Sequence, residues 1–345
     1  MIQLNQEKLD KIVAKTVTNK NVHGAVFYIE SCDKSLSLFS TSGNISRESQ
    51  YYIASINKLI ISFITLRLCQ NKTINLNDMV SKYLPHEMLN GLLVIDDKDY
   101  SDKLTICHLI SHTSGLPCYL IDKSPDGKKN MDLILNGNDQ SWPLEKVIIE
   151  VKKMKSKFRP GTKGKANYSE TNFRLLDRIL EVVTNKSIQE LLTTVFQELE
   201  MKNTFVLPSS SANNCAPIYF KQNQIKIQEY WKSTHHDIAS TANDQMKFIR
   251  AFFDGKWFSK EFINELKKWN SIFFPFKYGI GIQKFYIPRI LSPFKAVPEF
   301  IGHCGSIGSV AFFVPDKEVY ITGTINQTSN PNIVFQAMIK IINKL

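Results

Sequence analysis

Ser55-Ile56-Asn57-Lys58-Leu59-Ile60-Ile61-Ser62-Phe63-Ile64-Thr65-Leu66 sets a serine and a lysine three residues apart at the head of an apolar run. The run reads as a helix that is apolar on nearly every side, and such a helix is buried. Residues i and i+3 of a helix are neighbours, with Cβ atoms about 5–6 Å apart, so the Lys58 amine is expected beside the Ser55 hydroxyl. Burial disfavours the charged ammonium, and a neutral lysine next to a serine can act as its general base. A four-residue pattern also arises by chance, so the rest of the chain has to decide.

Outward from this helix, Leu9, Ile12, Val13 and Val17 mark an amphipathic helix over 5–19. Residues 24–30 read as a buried strand and 35–40 as a second one. Helical periods dominate 76–230, with a clear amphipathic helix at 172–184 and a polar, Gly-containing stretch at 122–140 expected to be an exposed loop. A helix follows at 243–253. Residues 309–314 and 319–325 read as paired strands around Pro315-Asp316-Lys317-Glu318, and 331–344 as a closing helix. Strands at both ends and helices between them predict an α+β architecture. An antiparallel sheet is drawn from 1–75 and 231–345 and flanked by helices, with an all-helical insert at 76–230 and the site in the cleft between the two parts.

The composition fits that reading. Of 345 residues, 43% are hydrophobic and 22% charged, which is ordinary for a globular protein. No apolar run approaches the roughly 20 residues of a membrane span. The first ten residues lack the basic-then-apolar layout of a secretion signal, so the sequence as it stands reads as cytoplasmic, or as extracytoplasmic if a leader has been removed. The formal charge of +11 would attract an anionic partner. No block of five or six like charges exists, however, so the charge reads as a lysine-rich background, with no nucleic-acid partner implied. Lys152-Lys153-Met154-Lys155-Ser156-Lys157 reads as a solvated helix face. The six cysteines form no Cys-x-x-Cys pair and no zinc spacing, so reduced thiols and no cofactor are expected.

Further segments now stand beside Ser55 and Lys58. They are Asn75 to Pro85, Leu104 to Pro117 with its Ser111-His112-Thr113-Ser114-Gly115 turn, Pro160-Gly161, Asn167-Tyr168-Ser169-Glu170-Thr171-Asn172-Phe173, Ala239 to Asp244, Tyr278-Gly279-Ile280-Gly281 and Gly302-His303-Cys304-Gly305-Ser306. In this order, over about 24–326, the chain resembles the serine β-lactamase-like family. That family spans class C β-lactamases, D-Ala-D-Ala carboxypeptidases of the penicillin-binding type, D-aminopeptidases and related esterases. The resemblance implies a β-lactamase/transpeptidase-like fold and a serine hydrolase working through an acyl-enzyme on a small-molecule or peptide substrate.

It also implies roles by position. Ser55 would be the nucleophile, and Lys58 would share in deprotonating it. Tyr168, matching the Tyr-x-Asn element, would be a second base, with Lys58 as the cation that favours its phenolate. His303, Cys304 and Gly305 match the Lys-Thr-Gly or His-x-Gly element and would bind substrate. Cys304 is expected to be a spacer turned away from the cleft, and Gly305 to let the substrate approach the backbone. The N–H groups of Ser55 and Ser306 would form the oxyanion hole.

Two positions depart from the β-lactamase pattern. Glu170 stands where those enzymes carry Asn, and an ionised carboxylate only accepts hydrogen bonds. His303 replaces a lysine, so a fixed charge for a substrate carboxylate becomes conditional on pH. Both departures favour the esterase or peptidase branches over a true β-lactamase or DD-peptidase. A non-catalytic receptor for wall fragments or β-lactams is the reading from another class.

Competing sites are weaker. His108 and His112 are spaced as metal ligands but have Leu109 where a metalloprotease helix needs Glu. His235-His236-Asp237 lacks a third ligand, and Ser114 lacks the Gly-x-Ser-x-Gly elbow. Phe273, Phe274, Phe276, Tyr278, Phe285 and Tyr286 read equally as an apolar substrate pocket or as strand packing.

Overall fold

The structure is a computed structural model and describes residues 4–211, 215–292 and 296–345. Its centre is one antiparallel sheet of eight strands: β1 (Gly24–Ser31), β2 (Ser37–Gly43), β3 (Asn270–Phe273), β4 (Phe276–Tyr278), β5 (Gln283–Phe285), β6 (Phe300–Cys304), β7 (Ser309–Val314) and β8 (Val319–Thr324), in the order β3-β4-β5-β6-β7-β8-β1-β2. The N-terminal hairpin docks on the C-terminal one, with Val26 opposite Thr324 and Ile29 opposite Ile321. Sheet strands expose alternate side chains to opposite faces, and here both faces are covered. Ala25, Phe27, Ile29, Phe312 and Ile321 pack against Leu9 and Val13 of helix α1 (Gln6–Val17) and Val334, Met338 and Ile341 of the terminal helix (Asn332–Ile342). Val26, Tyr28, Ala311 and Tyr320 face the larger core. This double burial explains why 24–29 is apolar without a break.

Helix α2 (Asn57–Gln70) runs through that larger core. Every residue from Asn57 to Leu66 is buried, including Lys58. The expected helices and strands are present, with shifted ends. The helix expected over 172–184 begins earlier and spans Glu170–Thr184; we label it α3.

Two expectations change. The stretch 122–140 contains a helix, Asn130–Leu135, anchored by the Asn130 side chain on the Tyr119 carbonyl at 2.7 Å. Its apolar residues Met131, Ile134 and Leu135 line a cavity. Six residues amid Asn, Asp and Gly give too little period to be read. The 76–230 stretch is not all-helical either. It carries short ladders, and Phe205–Val206 joins Ile238–Ser240 and Tyr51–Tyr52 in a second, three-stranded sheet. No helix of the described residues is long and apolar enough to cross a membrane.

Candidate active site

Ser55 lies in a single 3-10 turn, Ala54–Ile56, that feeds directly into α2. Strand pairing fixes the entry to this turn: Tyr51 pairs with Ser240, and the Ile53 N–H donates to the Ile238 carbonyl at 3.0 Å. The Ser309 hydroxyl of β7 donates to the Ile53 carbonyl at 2.7 Å. Between these anchors Ala54 takes φ +48°. A left-handed alanine costs on the order of 1–3 kcal/mol and persists only where its surroundings enforce it. The effect is to present Ser55, partly exposed, while its neighbours on both sides are buried.

The Lys58 amine is 3.2 Å from Ser55 Oγ, as the i, i+3 spacing predicts. It is also 2.5 Å from Glu170 Oε1, an ion pair in which Lys58 is 1% and Glu170 12% exposed at the side chain. Ser55 Oγ is itself 3.5 Å from the same oxygen, the outer limit of a hydrogen bond. Position 170 matches a substrate-binding position of the family, where the change from Asn to Glu puts direct contact with a substrate amide in doubt; here one Glu170 oxygen is engaged by Lys58. The residue is the first of α3, where the helix dipole favours a negative charge.

Tyr168 packs over this pair, with the Lys58 amine 5.4 Å from its ring centroid. Its phenol pKa is pushed well above 10, first by desolvation and then by the Glu170 carboxylate, while a hydrogen bond with Ser55 acts the other way. This is opposite to the expected stabilisation of a phenolate by Lys58, whose charge is matched by Glu170. The Tyr168 hydroxyl therefore keeps its proton at neutral pH.

The Ser111–Gly115 turn and the segment after it cradle Tyr168 and Glu170. The Asn167 N–H donates to the His112 carbonyl at 2.8 Å. His112 Nδ1 accepts from the Ser169 N–H at 3.2 Å and pairs with Asn172 Nδ2 at 3.0 Å. Ser169 and Thr171 hydroxyls both donate to the Pro117 carbonyl, at 2.9 and 2.7 Å. Ser114, far from being an elbow nucleophile, donates to Asn172 Oδ1 at 2.7 Å. His112 is fully buried, and desolvation together with the Lys58 charge holds it neutral. Sequence reasoning quoted this turn but did not foresee that it positions the Tyr168–Glu170 segment. The polar residues Ser, His, Thr and Ser in an otherwise apolar stretch were the available signal.

Strand β6 supplies the opposite wall. His303 does not reach the cleft. It is 0% exposed; its Nδ1–H donates to the Cys304 carbonyl at 2.8 Å and its Nε2 accepts from the Tyr278 hydroxyl at 3.2 Å. A carbonyl only accepts, so the proton sits on Nδ1 and the ring is neutral. Desolvation, then Lys58, lower its pKa to about 3. The expected pH-conditional contact with a substrate carboxylate is thus replaced by a buried support for Tyr278.

Cys304 was expected to turn away, yet it lines the cavity and donates through both N–H and Sγ to Gln283 Oε1, at 3.0 and 3.1 Å. Desolvation pushes its thiol up to about 12, so it stays protonated at neutral pH. Gly305 is required by packing: a Cβ there would sit 2.4 Å from the Ile53 carbonyl and 2.9 Å from the Ala54 Cβ. The Ser55 and Ser306 N–H groups have no acceptor among the described residues, as an oxyanion hole needs.

The buried His303 makes stability pH-dependent. Its folded pKa lies below the unfolded value near 6.5, so the unfolded chain binds the proton first as pH falls. The contribution is whole above about 6.5 and is lost between there and about 3, at up to about 1.4 kcal/mol per pH unit. His112 is shifted in the same direction. Urea midpoints measured from pH 7.5 to 4.5 should fall, and fall less steeply in His303→Gln; equal slopes would mean that His303 titrates normally.

Ser55, Lys58, Tyr168, Glu170, Cys304, Gly305 and Ser306 all border one cavity of about 500 Å³. Its remaining wall is mostly apolar, with Leu120, Met131, Ile134, Ile227, Phe273 and Phe276 among the lining residues, so the aromatic cluster serves the pocket as well as the sheet. Tyr278 and Phe285 of that cluster are buried in packing. The charged lining residues are Lys58, Glu170 and Asp237, with His236 beside them. His236 Nδ1 is 2.5 Å from Asp177 and not in a metal site; no group of metal ligands occurs among the described residues.

A mixed α/β body with an antiparallel sheet, and a serine turn at the head of a buried helix, defines the β-lactamase/transpeptidase-like class. The chain belongs to the β-lactamase family, whose pattern it matches over residues 9–338. It is 26% identical over 211 residues to Protein flp of Staphylococcus aureus (strain MW2), covering 58% of this chain and 38% of that protein. The chain thus spans well under half the length of that relative. In fold it is similar to the D-stereospecific amidohydrolase of a Streptomyces species, with TM-score 0.76, 22% identity and coverage of 97% and 98% of the two chains. It is also similar to the D-amino acid amidase of Ochrobactrum anthropi SV3, with TM-score 0.78, 19% identity and coverage of 98% and 97%.

Proposed function

We propose that this protein is a serine hydrolase that forms an acyl-enzyme at Ser55 and acts on esters or amides with apolar acyl groups, as an esterase or a D-stereospecific peptidase. The observation that carries this reading is the contact between Ser55 Oγ and the Lys58 amine at the edge of an apolar cavity. Ser55 attacks the carbonyl with the Lys58 amine and the Tyr168 hydroxyl grouped around it, and the Ser55 and Ser306 N–H groups face the developing oxyanion. Water then releases the acyl group. Substrates bearing a carboxylate are disfavoured: the only lysine or arginine lining the described cavity is Lys58, already paired, and His303 is neutral and buried. An uncharged or amine-bearing substrate suits the Glu170 carboxylate better. The likeness in fold to a D-stereospecific amidohydrolase and a D-amino acid amidase is in keeping with the peptidase side of this reading.

The test combines labelling with a substrate panel. A fluorophosphonate should add one adduct, mapped to Ser55, and Ser55→Ala should remove both label and turnover. Turnover of p-nitrophenyl butyrate or D-phenylalanine amide should exceed that of a chromogenic cephalosporin by at least tenfold in kcat/KM. An adduct elsewhere, or an active Ser55→Ala variant, would refute the hydrolase. Labelling without turnover of any panel member would favour a receptor.

A further inference from the structure

Glu170 occupies the place where related β-lactamases carry an amide, yet it contacts the two groups that move the proton. Its Oε1 accepts from Lys58 at 2.5 Å and lies 3.5 Å from Ser55 Oγ. Its Oε2 has no protein partner among the described residues, and the residue borders the cavity. In the triangle of Ser55, Lys58 and Glu170, an ammonium paired to a carboxylate has no lone pair to offer. The carboxylate does. Distances between catalytic groups are often long before substrate binds and shorten in the complex.

We propose that Glu170 is a catalytic residue: it accepts the proton released by Ser55 during acylation and, through Oε2, the proton of the hydrolytic water during deacylation. The proposal rests on the acyl-enzyme reading at Ser55. In acylation the Ser55 O–H bond breaks, its proton passes to Glu170, and Oγ bonds the carbonyl carbon as the carbonyl electron pair moves onto oxygen. Lys58 stays an ammonium and stabilises the alkoxide. On collapse the bond to the leaving group breaks, and that group takes the proton from Glu170, directly or through the Tyr168 hydroxyl. In deacylation water gives one proton to Glu170 while its oxygen bonds the acyl carbon. The bond from acyl carbon to Oγ breaks, and the proton returns to Ser55. Each half-reaction leaves Glu170 as it began. A carboxylate of this kind also explains why Glu is tolerated where Asn is usual: the position would serve proton transfer more than recognition of a substrate amide.

The experiment compares the wild type with Glu170→Gln and Glu170→Ala, using p-nitrophenyl butyrate and a fluorophosphonate. Glutamine keeps the shape and can still accept from Lys58, but it cannot take up a proton. For folded E170Q, judged by circular dichroism, kcat/KM should fall at least a hundredfold, with KM changed less than threefold. In E170A, which leaves room for a small carboxylate, added formate should restore turnover at least tenfold, a rescue that a merely structural role would not show. A smaller fall in folded E170Q, or no formate rescue in folded E170A, would overturn the proposal. Should E170Q fail to fold, the formate result with E170A decides alone. If the wild type itself carries no adduct on Ser55, the acyl-enzyme reading fails instead; an adduct on Ser55 with unimpaired E170Q turnover refutes only the role of Glu170.

Discussion

Lys58→Met should unfold more easily than the wild type by about 3–5 kcal/mol and lose turnover by a factor on the order of 10²–10⁴. Methionine reproduces the length of the lysine stem and its packing against Phe173, so little cavity is created. What it removes is the countercharge of Glu170, whose carboxylate is only 12% exposed. Breaking a buried pair by deleting one partner strands the other, and that penalty exceeds what the intact pair contributes. The double variant Lys58→Met/Glu170→Gln removes both charges and should regain most of the lost stability while staying inactive. Urea unfolding of the four proteins gives the coupling energy directly. A Lys58→Met protein as stable as the wild type would show that the pair is solvated or absent in solution.

Gly305→Ala is expected to lower kcat by about 10²–10³ and stability by about 1–3 kcal/mol. The added Cβ would meet the Ile53 carbonyl at 2.4 Å and the Ser309 hydroxyl at 2.3 Å, both far inside contact distance. Ile53 is backbone and cannot rotate away. Relief has to come from parting β6 from the Ala54–Ile56 turn, which separates the Ser306 and Ser55 N–H groups. Oxyanion donors act only when both are aimed at one point, and removing one costs roughly 10²–10³. Ser309→Ala, which clears only the movable contact, should not rescue the variant. A Gly305→Ala enzyme with wild-type kcat would mean that these two N–H groups are not the catalytic donors.

Much of this arrangement was legible in the sequence. Ser55 and Lys58 are a local pair, and helical geometry alone brings them together. The paired strands read over 309–314 and 319–325 were readable because alternation and a turn are local signals too. What escaped is non-local. Glu170 meets Lys58 across 112 positions, and no periodicity reports that a carboxylate will find an amine so far away. His303 was read as a cleft residue because its motif lies on a cleft strand, but strands alternate faces and its side chain points into the core. The left-handed Ala54 and the tight Gly305 are backbone consequences of β6 and β7 packing on the serine turn, and composition does not encode them. The short helix Asn130–Leu135 is stabilised by apolar contacts at the cavity rather than by its own propensity, so it left no trace in its polar neighbourhood.

The seating of the first hairpin beside the last strand has a temporal consequence. β1 is hydrogen-bonded to β8, and the serine turn is held by Ser309 of β7. A chain emerging from a ribosome therefore presents Ser55 before β7 and β8 and cannot hold it in place until those strands have followed. Contacts between such distant segments close slowly compared with local ones. The serine turn is thus organised only after a strand 256 positions further along has been made, and a chain cut short before it carries the serine without the scaffold that holds it.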